Sequence, residues 1–231
     1  MTSIRIQKQR EHWFQQGFKN LLVWFFVYLV IGPFLETVPY AEKILDLFLT
    51  VLLVSALAAM SESRKLMTVA SGILLASVVL IWLRSSDVFA PKLDVSNMML
   101  AAFLTLLAYS FSKYLFRIRE VTPNAVCAAL CLYLVVGMLW GALYAVLESI
   151  VPGSFSGSIL TDAGSLRDKA HHLQYFSYVT LSTLGYGDIT PQTRGAAALC
   201  QTEAILGQFL TVALVARLVG IQVAQETTRS S

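Results

Sequence analysis

Charged residues are scarce in this chain, and their scarcity excludes most classes of water-soluble protein. Asp, Glu, Lys and Arg make up 13% of its 231 residues, while 56% are hydrophobic. An ordinary globular domain carries about 25% charged residues. A protein that folds in water needs enough polar side chains to cover its surface, and this chain has too few. A protein that folds in lipid does not need a polar surface. The composition therefore predicts a membrane protein with lipids, and no nucleic acid, among its partners.

Cysteine and histidine are also few, and their positions exclude the usual metal, redox and catalytic sites. The three cysteines, Cys127, Cys131 and Cys200, fall inside predicted helices, where a buried thiol acts as a small apolar side chain. The three histidines fall outside those helices. No paired acids, Cys–His pair, metal-ligand spacing or glycine-rich nucleotide loop is visible in the sequence. The sequence therefore predicts neither an enzyme nor a bound cofactor.

Long runs without any charge are abundant instead. A helix that spans a membrane needs about 20 mostly apolar residues, and shorter runs gain the difference from tilt or snorkelling flanks. A cleaved signal peptide is the alternative for the first run, but residues 33–36 lack the small residues of a cleavage site. We interpret the runs as six spanning helices, at 18–38, 43–61, 66–84, 95–116, 124–149 and 195–220.

The distribution of Lys and Arg predicts the orientation of these helices. With the N-terminus inside, most of the 17 Lys and Arg residues lie in the inside segments. Because such an excess marks cytoplasmic loops, we predict a multi-pass protein of the cell membrane with both termini in the cytoplasm.

The segment REVTPN at 119–124 divides the chain, because Thr122 suits a helix N-cap and Pro123 suits the first helical position. The basic residues at the N-terminus indicate either a helix on the inner membrane surface or a solvated terminus. The predicted parts are a basic cytoplasmic segment, a four-helix membrane domain, a two-helix membrane domain and a short cytoplasmic tail, at 1–20, 21–119, 120–222 and 223–231.

An apolar stretch of about eleven residues, LQYFSYVTLST, follows the fifth helix and an outer segment rich in Gly and Ser. It is too short to span a bilayer and suits a re-entrant helix that enters the membrane partway. The chain returns through residues 184–191, and non-helical backbone at membrane depth is tolerated only inside protein or beside water. The return path therefore lines an aqueous pathway or lies inside a protein assembly.

The return path contains Gly185-Tyr186-Gly187, and Thr183 lies two positions before Gly185. Glycine adopts backbone angles that other residues avoid, so successive residues here can alternate in handedness and point their carbonyls one way. A row of carbonyl oxygens replaces the water shell of a dehydrated cation, and the Thr183 hydroxyl adds another oxygen. A symmetric ring of chains closes such a pore. The negative C-terminal end of the re-entrant helix points at the centre of this pore and favours a cation there.

The run TLGYGD at 183–188 resembles the selectivity filter of potassium channels, with Leu184 in place of the usual valine. The resemblance extends over about 123–220. It implies an all-α homotetramer in which a four-helix voltage-sensor-like bundle precedes a pore domain made of an outer helix, a pore helix, the filter and an inner helix. It also implies that K⁺, as the permeant ion, is bound in the filter, residues 183–187, at Thr183, Leu184, Gly185 and Tyr186.

Three further residues are assigned to filter support. By resemblance, Tyr175 lies in an aromatic cuff around the filter and donates a hydrogen bond to Asp188; plain apolar packing is the alternative. Glu203 is a carboxylate within a predicted spanning helix, where such residues face protein or water. We expect it to bond to Thr180 or Ser182 of the re-entrant helix, either as a structural anchor or in gating.

The last helix carries the residues that the resemblance assigns to the gate. Gly207 matches a position where the inner helix bends, and a close helix–helix contact through a small residue is an equal alternative. We expect Arg217 to snorkel to the inner headgroups. One stripe at helical spacing, which by resemblance faces the cavity and the inner gate, contains Gln208, Thr211, Val215 and Val219.

The fourth helix lacks the charges that a voltage sensor requires. Voltage-gated channels carry positive residues along that helix, inside the membrane field. Here residues 95–112 have no charge, and Lys113, Arg117 and Arg119 lie only at the inner end. We therefore predict weak or absent voltage dependence.

The predicted function is passive conduction of K⁺ through a tetrameric pore. A weakly selective cation channel is the alternative if the filter does not hold its geometry, and a non-conducting membrane scaffold subunit is another. No motif identifies the gating stimulus. His171 and His172 are either a pH sensor or a solvated pair in a loop.

Overall fold

The structure is a computed structural model that describes residues 17–35, 40–60, 64–84, 94–118, 120–161, 163 and 166–230. The basic N-terminal segment predicted at 1–20 lies almost wholly outside these residues, and Arg119 lies outside them too.

The described chain is built of helices and one pair of two-residue strands. The first helix, α1, ends in a π-helical turn at Val27–Ile31 and a 3-10 turn at Gly32–Leu35. In chain order the elements are α1 Gly17–Leu35, α2 Ala41–Ala58, α3 Arg64–Arg84, α4 Val95–Arg117, α5 Pro123–Ile150, β1 Phe155–Ser156, α6 Ser158–Thr161, α7 Leu166–Leu181, β2 Thr190–Pro191 and α8 Arg194–Ser230.

Side-chain caps fix the starts of α4 and α5. Asp94 accepts a hydrogen bond from the Asn97 N–H at 3.2 Å and caps α4. Thr122 accepts one from the Ala125 N–H at 3.2 Å, with proline at the first position of α5. The predicted division of the chain at Thr122 is therefore a helix N-terminus, because the cap satisfies a backbone donor that has no partner within the helix.

Five of the described helices are long and apolar enough to cross a membrane, which indicates a multi-pass membrane protein. They are Gly17–Leu35, Arg64–Leu83, Val95–Arg117, Pro123–Ile150 and Arg194–Gln225. The helix α2 is not among them, since Glu42, Lys43 and Asp46 lie in its first two turns. The number of six spanning helices is therefore not confirmed, and a spanning role for α2 stays a prediction.

The buried side chains form two clusters. The larger lies among α1 to α5. In it the rings of Phe18 and Phe111 pack edge to face, with their centroids 5.0 Å apart. The smaller joins α5, β1 and α7 through Tyr144, Phe155 and Phe176, whose ring centroids are 5.0 to 5.7 Å apart. This aromatic cluster holds α7 against α5 and so positions the segment that follows α7.

Two helices are longer than the sequence predicted. The helix α7 begins at Leu166, so His171 and His172 lie within it, and placing them in a loop was wrong. Its first turns, LRDKAHH, are polar and give no hydropathy signal, but Asp168 in the first turn suits the positive end of a helix. The helix α8 continues to Ser230 and includes most of the segment predicted as a separate tail.

Candidate functional site

The end of α7 fixes the start of the segment that resembles a filter. The Thr183 N–H donates to the Thr180 carbonyl and the Leu184 N–H donates to the Val179 carbonyl, both at 3.0 Å. This pair of bonds is a Schellman motif, whose pivotal residue adopts the left-handed conformation and is usually glycine. Here that residue is Thr183, with φ of 58°. A left-handed backbone at a residue other than glycine costs about 1–3 kcal/mol. Threonine nevertheless supplies a hydroxyl group at this position, which glycine would lack.

The backbone then alternates in handedness through residues 183–187, here called the filter segment. Left-handed φ angles occur at Thr183 (58°), Gly185 (60°) and Gly187 (78°), and Leu184 and Tyr186 between them have none. A Cβ at either glycine would meet nothing within 4 Å in the chain. Glycine is therefore required here by its backbone angles rather than by space. The glycine spacing predicted this alternation, which allows successive carbonyl groups to point to one side of the backbone.

One chain leaves the filter segment open. All five of its residues are exposed, with Leu184 at 55% and Tyr186 at 66%. Irregular backbone at membrane depth needs protein or water beside it. In a single chain this backbone therefore lies open to water or to further protein.

The outer end of the filter segment is held from α7. The Tyr175 hydroxyl donates a hydrogen bond to Oδ2 of Asp188 at 2.8 Å, which confirms the expected contact, and the Ile189 N–H donates to Oδ1 at 3.1 Å. Desolvation, followed by the bond to Asp188, raises the pKa of Tyr175 to about 12. The hydroxyl therefore keeps the proton that it donates.

Residues before α7 support the same outer end, and sequence reasoning missed them. The strand β1 pairs antiparallel with β2, which follows the filter segment. A Cβ at Gly157 would lie 2.2 Å from the Asp188 carbonyl oxygen, so only glycine permits this approach. Glu148, buried at the end of α5, accepts the N–H groups of Gly153 at 3.0 Å and Phe155 at 3.2 Å. The carboxylate of Glu148 therefore fixes the strand that supports the filter segment.

The inner end of the filter segment contacts α8. A Cβ at Gly207 would lie 2.5 Å from the Leu181 carbonyl oxygen. This geometry favours the close helix contact among the two roles considered for Gly207, and the hinge stays a prediction. The Gln208 amide donates to the Thr183 hydroxyl at 3.3 Å. The four residues of the predicted stripe are all exposed in the chain, namely Gln208, Thr211, Val215 and Val219.

Glu203 lies behind the filter segment, but its partners differ from those expected. Its carboxyl group is bonded to the hydroxyl of Tyr144 on α5 and, at 2.5 Å, to the hydroxyl of Ser177 on α7. The prediction of Thr180 or Ser182 was therefore wrong, although the re-entrant helix was the correct element. The side chain of Ser177 points toward α5 and α8, whereas the hydroxyl of Ser182 returns to its own helix at the Tyr178 carbonyl.

Arg217 also makes contacts that the sequence did not predict. Its guanidinium donates to the carbonyl oxygens of Leu115 and Phe116 at 2.7 Å and of Ile118 at 3.3 Å, and lies 5.3 Å from the Phe116 ring centroid. Carbonyls at a helix C-terminus lack intrahelical partners and attract a cation, which explains these contacts, and the expected interaction with lipid headgroups stays a prediction. Arg217 therefore joins the inner end of α8 to the end of α4.

An ion pair joins the outer end of α7 to the front helices. Nη2 of Arg167 lies 2.6 Å from Oδ1 of Asp46 on α2, and both side chains are largely buried. A second, more exposed pair joins Lys169 to Glu148 at 3.7 Å. The helix α7 is therefore anchored to α2 as well as to α5 and α8.

Comparison with known families gave a match in the back part of the chain. Residues 128–223 match the Ion channel family model, a range that begins inside α5, includes the whole filter segment and ends in α8. Comparisons with curated proteins and with solved structures gave no match. The described residues contain no group of three or more His, Cys, Asp or Glu side chains able to hold a metal ion. The matched family indicates passive ion conduction and is generally non-enzymatic.

Proposed function

We propose that this protein is a potassium-selective channel that conducts K⁺ passively through a pore formed by four copies of the chain. The observation that carries the proposal is the alternating backbone of the filter segment, with left-handed residues at 183, 185 and 187. Carbonyl oxygens presented in a row replace the hydration shell of K⁺. The ions bind at Thr183, Leu184, Gly185 and Tyr186, and no cofactor takes part.

The exposed surfaces of the chain support a ring of identical subunits. The filter segment and the stripe of α8 that begins at Gln208 are open in one chain. Cyclic symmetry brings four such surfaces to one axis, so that Thr183 and Gln208 line the cavity. Further inward, Val215 and Val219, exposed at 57% and 56%, form apolar rings that close the pore by dewetting.

The front helices act as a scaffold in this proposal. Moving one elementary charge through 100 mV yields about 2.3 kcal/mol, and steep gating needs several charges in each subunit. No charged residue occurs between 95 and 112 in α4. Conductance of the reconstituted protein should therefore depend only weakly on voltage, and a steep conductance–voltage curve would overturn this part of the proposal. Both termini lie in the cytoplasm.

Ion flux into liposomes that contain the purified protein tests the function. The proposal expects K⁺ uptake that barium blocks, with little Na⁺ uptake. Equal K⁺ and Na⁺ uptake would indicate a weakly selective cation channel instead. No uptake of either ion, from protein that is folded and inserted, would indicate a non-conducting scaffold.

Two glycine substitutions distinguish a specific effect on the filter segment from a general effect of backbone strain. Gly185 and Gly153 both have left-handed φ, 60° and 82°, and both have open space where a Cβ would lie. Alanine at either position costs roughly 1–2 kcal/mol of local strain. Only Gly185→Ala is expected to abolish K⁺ selectivity, whereas Gly153→Ala serves as the matched control outside the filter segment.

A further inference from the structure

Three helices meet at one buried carboxyl group. Glu203 on α8 is 0% exposed, and its two oxygens contact Tyr144 on α5 and Ser177 on α7. Among the described residues, neither its hydrogen bonds nor the ion pairs include a cation for Glu203. The other titratable groups that interact with it are the ordinarily neutral Tyr133, Tyr178 and Cys200. A buried carboxylate without a counter-charge is strongly disfavoured.

The hydroxyl of Ser177 has one proton but two oxygen neighbours that accept. Its Oγ lies 2.7 Å from the Gly137 carbonyl oxygen and 2.5 Å from Oε1 of Glu203. A carbonyl oxygen has no proton to donate. Both contacts are full two-centre hydrogen bonds only if Ser177 donates to Gly137 and Glu203 donates to Ser177. The second donation requires a proton on Oε1.

An ionised Glu203 fits these contacts less well. Ser177 would then donate to the carboxylate, and its 2.7 Å contact with the Gly137 oxygen would join two acceptors. The Gly137 oxygen still accepts a hydrogen bond from the Gln174 amide at 3.0 Å, so the bond that it would lose is the one from Ser177. With the proton on Glu203, Tyr144 donates to Oε2 and every oxygen in the group has a partner of the correct kind.

We propose that Glu203 is a neutral carboxylic acid that donates its proton to Ser177 and thereby positions the re-entrant helix between α5 and α8. The chain of bonds runs from Glu203 to Ser177 to the Gly137 carbonyl, and Tyr144 completes it. It fixes α7 one turn before the Schellman motif without placing a negative charge behind the filter segment. The consequence for the filter rests on the proposed function, but the protonation state does not.

Glu148 is the matched control within the same chain. It is also buried, at 5% exposure, but its contacts are the N–H groups of Gly153 and Phe155 and the ammonium group of Lys169. These groups only donate, and such a set suits an ionised carboxylate. The two buried glutamates should therefore differ in protonation although their burial is similar.

Infrared difference spectroscopy of the purified protein at neutral pH tests the proposal. Subtracting the Glu203→Gln spectrum from that of the wild type should leave a protonated carboxylic C=O band that shifts on deuteration. The Glu148→Gln difference should instead show carboxylate bands. Ser177→Ala should move the Glu203 band to higher frequency, since the donated bond is lost. Carboxylate bands in the Glu203→Gln difference would overturn the proposal.

A second measurement avoids the substitution of Glu203. Carbon-13 labelling of glutamate in the wild-type protein gives separate side-chain carboxyl signals for the protonated and ionised forms. A protonated signal that Ser177→Ala displaces supports the proposal, and the absence of any protonated signal at neutral pH contradicts it. Neither measurement depends on ion flux. A protonated Glu203 in a protein without K⁺ flux would reject the proposed function alone, and an ionised Glu203 in a selective channel would reject this inference alone.

Discussion

The Tyr175 hydroxyl lies 2.8 Å from Oδ2 of Asp188, so a residue of α7 holds the residue that directly follows the filter segment. Tyr175→Phe removes this bond and leaves the ring in place. Because the pair is partly exposed, we expect a loss of about 1 kcal/mol in local stability and faster loss of conduction at low K⁺. Tyr109→Phe, on the exposed face of α4, is the control. Equal flux decay in the two variants would contradict a supporting role for the bond.

Gly207→Ala tests whether this residue is a close contact or a hinge. The added methyl group would lie 2.5 Å from the Leu181 carbonyl oxygen, and such overpacking costs about 1–3 kcal/mol. We therefore expect a lower thermal unfolding temperature and a weakened oligomer. Gly220→Ala, on the same helix with nothing within 4 Å in the chain, should show neither effect. Unchanged stability of Gly207→Ala together with altered opening would favour the hinge.

Arg217→Lys tests whether Arg217 acts by binding the carbonyl oxygens at the end of α4 or by reaching the lipid headgroups. Lysine keeps the charge but lacks the planar guanidinium that reaches three carbonyl oxygens at once. The expected loss is about 1–3 kcal/mol of unfolding free energy, with increased mobility of a spin label on the exposed Phe116 position. If lysine preserved both properties, attraction to lipid headgroups would explain the residue better.

The Arg167–Asp46 pair should stabilise the outer end of α7. Breaking a buried ion pair from one side costs about 3–5 kcal/mol, so Asp46→Asn should lower thermal stability strongly. Lys169→Gln removes the longer, more exposed pair at 3.7 Å and should cost no more than about 1 kcal/mol. A double-mutant cycle between Asp46→Asn and Arg167→Gln measures the coupling directly. A coupling energy near zero would show that the pair does not anchor α7.

Sequence reasoning succeeded where a local pattern had one physical solution. Glycines at alternate positions predicted the alternating backbone of the filter segment, and Thr122 with Pro123 predicted the start of α5. It failed where partners lie far apart in the chain. Residue spacing along α8 does not show which hydroxyl of α7 faces Glu203. Nor does any property of Arg217 alone show that the carbonyl ends of α4 lie beside it.

The most direct test of the central claim is the reversal potential of the reconstituted protein with K⁺ on one side of a planar bilayer and Na⁺ on the other. If the carbonyl row of residues 183–187 binds the ion, the reversal potential should lie close to that of a membrane permeable to K⁺ alone. Gly185→Ala should reduce this potential, and Gly153→Ala should leave it unchanged. A reversal potential near zero in the wild-type protein would contradict K⁺ selectivity by this segment.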